Sequence, residues 1–437
     1  MRAPPAVFVV VTRVPRKRHQ DVTCKTSAVL YAPVVHKASM SEWETVFRKI
    51  LLDPRRTHTQ SKGSRFLQTH RLRTFLSLTL LFACMPAFAQ TQAPTPADNS
   101  SSESADGFCQ GGPATVQDDA YHYKYWQGTP YDAAYTEWWY FNLYDDKQDL
   151  KAIFSYQVVD PGNIDGKGSA FVAAAAYQGN QIINTVDLFP LSAFSASYAA
   201  ADASFGENKI SVVGPDSYQI TGASSNGRIR WNLHYERASD SWCAADHVNV
   251  APATWEQMSW LLYMPSAQVS GTVTVDGNSY QVQSAGYHDH NWGEWNLSQV
   301  RWNWAQYSQP GFSFDLGDFI GNPNGRASVD IAGHRSVFAA NQYKLVHTKF
   351  AYDTQNGIFY PVESVFTADN GEIQMFIKMN TTQSDPLPAF PGLIIYEQTS
   401  QFTGTVTSTK GGPPIDFEGN GFKEYTAYAN STQQLGH

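Results

Sequence analysis

Charged side chains are scarce in this chain: Asp, Glu, Lys and Arg make up 16% of its 437 residues, against roughly 25% in ordinary soluble proteins. Basic residues in particular are few over most of the chain. Residues 1–73 hold 15 Lys/Arg and 4 Asp/Glu, residues 74–89 hold neither, and residues 90–437 hold 16 basic and 35 acidic side chains. The excess of acidic side chains in residues 90–437 would repel the phosphates of nucleic acids and anionic lipids. Nucleic-acid binding and docking on acidic membranes are therefore disfavoured. We expect a neutral, cationic or apolar ligand.

Long hydrophobic runs are also missing. The uncharged run 74–84 has about 11 residues, which is too short to span a bilayer. Ala87 and Ala89 then stand at −3 and −1 of a cut before Gln90, the pattern that signal peptidase requires. We therefore predict that residues 1–89 are a leader and signal peptide whose unusual length indicates a misassigned start, the alternative being a transit peptide or signal anchor. The mature protein would enter the secretory pathway or be secreted, with no stable membrane insertion after cleavage.

Cysteine is rare, with 4 in the chain. Cys24 and Cys84 fall in the predicted leader, which leaves Cys109 and Cys243. In an oxidising compartment this pair predicts one disulfide, and two buried thiols are the alternative. Glycosylation sequons follow the predicted cut at Asn99, Asn296, Asn380 and Asn430.

Helix signals are few and strand signals are many. Residues 90–106, rich in Thr, Pro, Ser and Ala, are expected to form a flexible linker. Beyond them, short β-branched and aromatic segments are broken by Gly, Asn, Asp or Pro about every ten residues. Asp276-Gly277, between two alternating segments, predicts a tight hairpin. The chain is therefore expected to be all-β, with two consecutive antiparallel barrel or sandwich domains at 107–300 and 301–437.

Aromatic residues make up 14% of the chain, and six of its 12 Trp lie between residues 255 and 304. Such a density of rings either fills a β core or lines a pocket. An aromatic pocket suits flat, apolar ligands and can stabilise a developing cation.

The segment Glu137-Trp138-Trp139-Tyr140-Phe141 is the first candidate for chemistry. As a strand it would place Glu137, Trp139 and Phe141 on one face and Trp138 and Tyr140 on the other. Because a buried carboxylate is costly unless it is paired or protonated, Glu137 is either half of an ion pair or an acid or hydrogen-bond anchor in a pocket.

The second candidate runs from Gly286 to Gly293. If it is extended, His288, His290 and Trp292 share one face and Tyr287, Asp289 and Asn291 share the other. The phenol, carboxyl and amide can exchange protons or hydrogen bonds with one bound molecule. In the alternative, Asp289 only orients a neighbouring histidine or caps a turn.

The His-x-His pair could also ligate a metal. A third ligand would come from His234, His247 or His334. No cluster of carboxylates or cysteines at metal spacing accompanies the pair, so we predict no metal.

These two segments and Gly419-Asn420-Gly421-Phe422-Lys423-Glu424-Tyr425 together resemble the hydroxyneurosporene synthase or carotenoid 1,2-hydratase superfamily, which includes fungal Diels-Alderases and hetero-Diels-Alderases. The resemblance implies two lipocalin-like domains, a ligand pocket at or between them, and no cofactor. In the hydratase branch it implies that Asp289, with Tyr287 beside it, protonates an isoprenoid double bond. In the Diels-Alderase branch it implies polar groups that hydrogen-bond a substrate carbonyl. Met258 occupies a position where the hydratases are expected to have a more polar residue. This difference weakens the interpretation of Asp289 as a proton donor.

The secretory features favour the Diels-Alderase branch. We predict a cofactor-independent pericyclase of fungal secondary metabolism that acts on a small apolar polyene, terpene or quinone methide, with Asp289, Tyr287 and Glu137 as catalytic residues. The predicted substrate contacts are Trp138, Trp139, Tyr140, Trp260, His288, His290, Asn291, Trp292 and Trp295. Three alternatives stay open: an isoprenoid hydratase or cation-type cyclase, a secreted carrier of apolar ligands, and a carbohydrate-active β-sandwich with Glu137 and Asp289 as its carboxylate pair.

Overall fold

A computed structural model describes residues 108–109, 114–251, 253–390 and 392–429. All of them belong to one compact unit, residues 88–437. The predicted leader, its cleavage site, the whole of the predicted linker, Asn99 and Asn430 lie outside the described residues. Within the described residues, no helix is long and apolar enough to cross a membrane.

The first half of the described chain forms one antiparallel sheet of twelve strands. They are β1 (Tyr135–Asp145), β2 (Leu150–Val159), β3 (Ser169–Gln178), β4 (Gln181–Phe189), β5 (Phe194–Ala196), β6 (Ala203–Phe205), β7 (Asn208–Gly214), β8 (Ser217–Ala223), β9 (Ile229–Arg237), β10 (Trp242–Asn249), β11 (Gln257–Val275) and β12 (Asn278–Glu294). The strand order is β4-β3-β2-β1-β12-β11-β9-β8-β7-β6-β5, with β10 also paired to β11. Because the two ends of this order are consecutive in the chain, the sheet curls into a nearly closed barrel.

The second half forms an antiparallel sheet of nine strands. They are β13 (Trp302–Gln309), β14 (Phe312–Phe319), β15 (Arg326–Ile331), β16 (His334–Ala339), β17 (Tyr343–Asp353), β18 (Ile358–Asp369), β19 (Ile373–Phe390), β20 (Leu393–Ser408) and β21 (Ile415–Tyr428). The strand order is β16-β15-β14-β13-β21-β20-β19-β18-β17. The strands that come first and last in the chain, β13 and β21, are neighbours in this sheet, as β1 and β12 are in the first. The predicted all-β, lipocalin-like fold class is confirmed. The change of sheet falls between Glu294 and Trp302, and the division into domains at 107–300 and 301–437 stays a prediction.

The hairpin at Asp276-Gly277 joins the two longest strands of the first sheet. Asp276 has φ 47° and Gly277 has φ 82°, and two positive φ angles are what a type I′ turn requires. The predicted hairpin is therefore confirmed. Its strands, β11 and β12, carry most of the candidate site residues.

The alternation of side chains on β1 is also as predicted. Trp139 and Phe141 pack in the core enclosed by the first sheet. Trp138 and Tyr140 point the other way, into an aromatic cluster that includes Trp304 and Phe422 of the second sheet. The outer face of β1 thus meets the second sheet.

Cys109 and Cys243 form the predicted disulfide, with their α-carbons 6.2 Å apart. It ties the segment before β1 to β10. That segment carries Asp119 and His122 into the end of the first sheet, where both are buried.

Candidate functional site

The structure divides the candidate residues between the two faces of β1 and β12. In register, Glu137 stands opposite Trp292 and Tyr140 opposite Asp289. Glu137 faces the enclosed core of the first sheet, whereas Asp289 faces the second sheet. The two carboxyl groups therefore lie on opposite faces of the strands, and their predicted catalytic roles stay predictions. The carbohydrate-active alternative loses its carboxylate pair for the same reason.

Inside the first sheet, polar side chains form a fully buried network. His290 Nε2 lies 2.9 Å from Glu137 Oε1, and His290 Nδ1 lies 3.1 Å from Asp119 Oδ1. Asp119 Oδ2 lies 2.9 Å from His288 Nε2, and the backbone N–H of His122 donates to Glu137 Oε1 at 3.0 Å. Side chains from three separate segments of the sequence, the one before β1, β1 itself and β12, thus form one cluster.

The network is held by opposite charges. Burial acts to raise the pKa of Glu137, but hydrogen bonds with His122 and His290 outweigh it and lower that pKa. His288 and His290 likewise hold the pKa of Asp119 well below its usual range despite burial. Burial opposes protonation of His290, yet Asp119 and Glu137 raise its pKa above the ordinary value. The two carboxyl groups and the His290 imidazole thus favour each other's charged forms, which offsets the cost of burying them.

The opposite face of the same strands forms an aromatic site between the two sheets, which we call the inter-sheet site. Asp289 Oδ2 accepts hydrogen bonds from Trp260 Nε1 and from Tyr287 Oη, both at 2.8 Å. Burial raises the pKa of Asp289 to about 6 against these two donors. Trp304, on β13, meets the Tyr287 ring at 5.6 Å and the Tyr140 ring at 5.4 Å. Asp289 therefore lies at one wall of a site closed by rings from both sheets.

The second sheet supplies two more carboxyl groups, Glu397 and Glu424. They are direct cross-strand partners on β20 and β21, and Trp302 Nε1 donates to Glu424 Oε2 at 2.5 Å. Burial, together with the neighbouring Glu424, raises the pKa of Glu397 well above its usual value, and burial also raises the pKa of Glu424. Like charges directly opposite each other are destabilising, so the pair retains a proton to higher pH than an isolated glutamate does.

Buried polar atoms without a well-formed hydrogen bond among the described residues concentrate between the sheets. They include Tyr140 Oη, both polar atoms of the Asn142 side chain, Tyr177 Oη, Trp304 Nε1, Gln306 Nε2 and Oε1, and Glu397 Oε1. Most buried polar groups in proteins have a partner, so such a concentration needs an explanation. Contacts within the site account for part of it, because Tyr140 interacts with Asn142 and Glu397, and Trp304 with Tyr287. A bound molecule with hydrogen-bonding groups of its own would account for the rest.

The remaining predicted contacts divide between the two faces. Trp139 stacks on His290 at 4.5 Å and Trp292 on His122 at 3.7 Å, both within the first sheet. Trp138 meets Trp295 edge to face at 5.6 Å on the outer side. Asn291 Nδ2 lies 3.4 Å from Asp289 Oδ1, and Met258 is buried in the outer cluster.

Of the two sequons in the described part, Asn296 is half-buried in a loop and Asn380 half-buried on β19; glycosylation stays a prediction.

Sequence reasoning missed several of these groups. Asp119 and His122 precede the first strand and belong to no recognisable pattern. Glu424 lies within the C-terminal segment that carries the resemblance, yet no role followed from it. Glu397 and Trp304 become part of the site only because the second sheet packs against the first.

No family model matches this chain, and no curated protein matches it. Its fold is similar to the crystal structure of a Nitrosomonas europaea protein with the provisional name AttH, with a TM-score of 0.56 and 16% identity over 73% of this chain and 98% of the other. Two weaker similarities are to kievitone hydratase from Nectria haematococca (TM-score 0.48, 12% identity, 69% and 91% covered) and to CghA in complex with Sch210972 (TM-score 0.48, 12% identity, 70% and 90% covered). At these identities, the first similarity shows a shared fold and no more.

Proposed function

We propose that this chain is an enzyme that binds a small, apolar, unsaturated substrate in the inter-sheet site and accelerates its pericyclic cyclisation, as a Diels-Alderase or hetero-Diels-Alderase. The observation that supports this most is the cluster of buried aromatic rings from both sheets, which surrounds polar groups that include the Asp289 carboxyl group, Tyr140 Oη and Trp304 Nε1. The rings hold a flat polyene or enone, and the donors hydrogen-bond its carbonyl. The motif resemblance points to the same class.

Each part of the site has a defined task in this mechanism. Aromatic walls fold the substrate so that the diene and the alkene approach each other, and such proximity can supply several kcal/mol of the barrier. A hydrogen bond to the carbonyl draws electron density from the alkene and strengthens as charge develops in the transition state. Two carbon bonds, or one carbon and one oxygen bond, form as the π electrons redistribute. No proton is transferred and no group leaves.

A second candidate is hydration or cation-type cyclisation of an isoprenoid double bond. The Asp289 carboxyl group is bonded to Trp260 and Tyr287, and the Tyr287 ring meets the Trp304 ring, so a cation formed next to it would lie among aromatic rings. In this reaction Asp289 gives its proton to one alkene carbon and water attacks the other. The water then returns a proton to the Asp289 carboxylate.

Comparative mass spectrometry of culture extracts distinguishes these functions. Extracts from the source organism with and without the gene are compared, with enantiomers separated, and the disrupted strain is complemented with the wild-type chain. Cycloaddition predicts that a product isomeric with a precursor, or equal in mass to two co-occurring metabolites combined, disappears or becomes racemic. Loss of a product one water heavier than a persisting polyene would instead establish the hydratase, and an unchanged profile would contradict both and favour a carrier.

A further inference from the structure

Three buried side chains inside the first sheet each bring one ligand atom into a small volume. Those atoms of His122, Glu137 and His290 all lie within 4.8 Å of one another. Glu137 Oε1 is 2.9 Å from His290 Nε2 and 3.5 Å from His122 Nδ1. In a tetrahedral zinc site, neighbouring ligand atoms are roughly 3.3 Å apart. Two of the three separations lie on either side of that value, and the third is no more than 4.8 Å.

We propose that His122, Glu137 and His290 bind a zinc ion, with water in the fourth position. Two imidazoles and one carboxylate are a donor set that zinc takes in proteins. The sequence concealed this set because His122 belongs to the segment before β1, whereas His234, His247 and His334, the candidates for a third ligand, lie elsewhere.

The groups around the three ligands are those that a zinc site requires. A ligating histidine usually donates its other ring N–H to a carboxylate, and His290 Nδ1 faces Asp119 Oδ1 at 3.1 Å. Glu137 Oε2 accepts a hydrogen bond from Tyr135 Oη. The His122 ring lies flat on Trp292, with an interplanar angle of 3°. Each ligand is thus held in orientation by a second contact.

The proposed ion would lie on the face of β1 and β12 opposite Asp289. It therefore has no contact with the inter-sheet site and takes no part in the reaction proposed there. It would join the segment carrying His122 to β1 and β12. The backbone N–H of His122 already donates to the Glu137 side chain on β1. This inference goes beyond the proposed function, and either can fail while the other holds.

Metal content and Co²⁺ spectroscopy test the proposal on the full chain with its disulfide formed. The wild type, equilibrated with Zn²⁺ and passed through a desalting column, should retain one zinc per chain. Co²⁺ should give the intense visible absorption of a tetrahedral site. His290→Gln should lose the zinc, and Asp119→Asn should weaken it by roughly 10–100-fold. His234→Gln is the matched control, because it removes a surface histidine that is 3.4 Å from Glu236, and it should retain the metal.

The wild type alone decides the outcome if a variant fails to fold. A raised Tm on addition of Zn²⁺, together with the Co²⁺ spectrum, would support the site without any substitution. Wild-type chain without stoichiometric zinc, without the Co²⁺ spectrum and with an unchanged Tm would overturn it. The cluster would then be a network of proton-bridged ion pairs only. Zinc retained by both His290→Gln and His234→Gln would overturn it equally, since the ion would be bound elsewhere.

Discussion

Trp260 of the first sheet lies directly against Gly317 of the second: a β-carbon added to Gly317 would be 2.4 Å from Cζ3 of the Trp260 ring. The same ring donates its Nε1 hydrogen to Asp289. The position of this indole therefore links the packing of the two sheets to the geometry of the inter-sheet site. Glycine is needed at 317 for close approach and not for an unusual backbone angle, since its φ is not positive.

Gly317→Ala is expected to displace Trp260 and to destabilise the fold. Overpacking of this kind costs typically 1–3 kcal/mol, and the Trp260–Asp289 hydrogen bond should lengthen as the ring moves. Urea unfolding monitored by tryptophan fluorescence measures the loss. Gly214→Ala is the control, because an added β-carbon there meets nothing closer than Ser217 Cβ at 3.7 Å. Equal stability of both variants would contradict the close packing of Trp260 on Gly317.

Glu397→Gln is expected to make stability less dependent on pH. The folded chain raises the pKa of Glu397 above its unfolded value, so the folded state binds more protons between those two values. The wild type is therefore stabilised below the ordinary glutamate pKa and loses that stability as pH rises toward the raised value. The glutamine is neutral at every pH and should stabilise the chain at alkaline pH by on the order of 1 kcal/mol.

Urea unfolding of wild type and Glu397→Gln from mildly acidic to alkaline pH tests this difference. Glu372→Gln is a suitable control, because its pKa is lowered by a surface contact with Lys410. A wild type whose stability rises with pH through the neutral range, without any change in Glu397→Gln, would contradict a shared proton in the Glu397–Glu424 pair.

Asp289→Asn distinguishes the two candidate reactions. The amide oxygen can still accept the hydrogen bonds from Trp260 and Tyr287, so the inter-sheet site should keep its geometry. A pericyclase should then lose less than about tenfold, whereas Tyr140→Phe, which removes a donor to the carbonyl, should lose roughly tenfold or more. Product formation in the complemented strain is the measurement. Complete loss with Asp289→Asn and none with Tyr140→Phe would favour acid catalysis and contradict the pericyclase mechanism.

Much of the fold follows from local sequence. The sequence predicts strands at 169–178 and 312–319, and β3 and β14 have those bounds. The strands that composition does not reveal are β5, β6, β10 and β15, which are only three residues long or rich in Ala, Ser and Asp. Their neighbours in the sheet, and not their own residues, determine their conformation, so tertiary context decides them.

The candidate site is less predictable from sequence than the fold. Alternation along β12 correctly separates His288 and His290 from Tyr287 and Asp289, because a strand has a period of two. It does not show which face of β1 meets which face of β12. The β1–β12 register brings Glu137 to the histidine face. Glu397 and Trp304 follow only from the packing of one sheet on the other, which no local pattern encodes.

The disulfide should stabilise the position of the segment that carries Asp119 and His122. Cys109 and Cys243 are 134 residues apart in the chain, and removing a disulfide from a small secreted domain typically costs 2–5 kcal/mol. The double variant Cys109→Ser, Cys243→Ser should therefore unfold at lower temperature than the wild type. Its His122 amide, which donates to Glu137, should exchange with solvent faster, while amides in the centre of β20 should change less. A reductant should lower the Tm of the wild type to that of the double variant and leave the variant unchanged; a wild type insensitive to the reductant would show that the sulfur atoms do not constrain this segment.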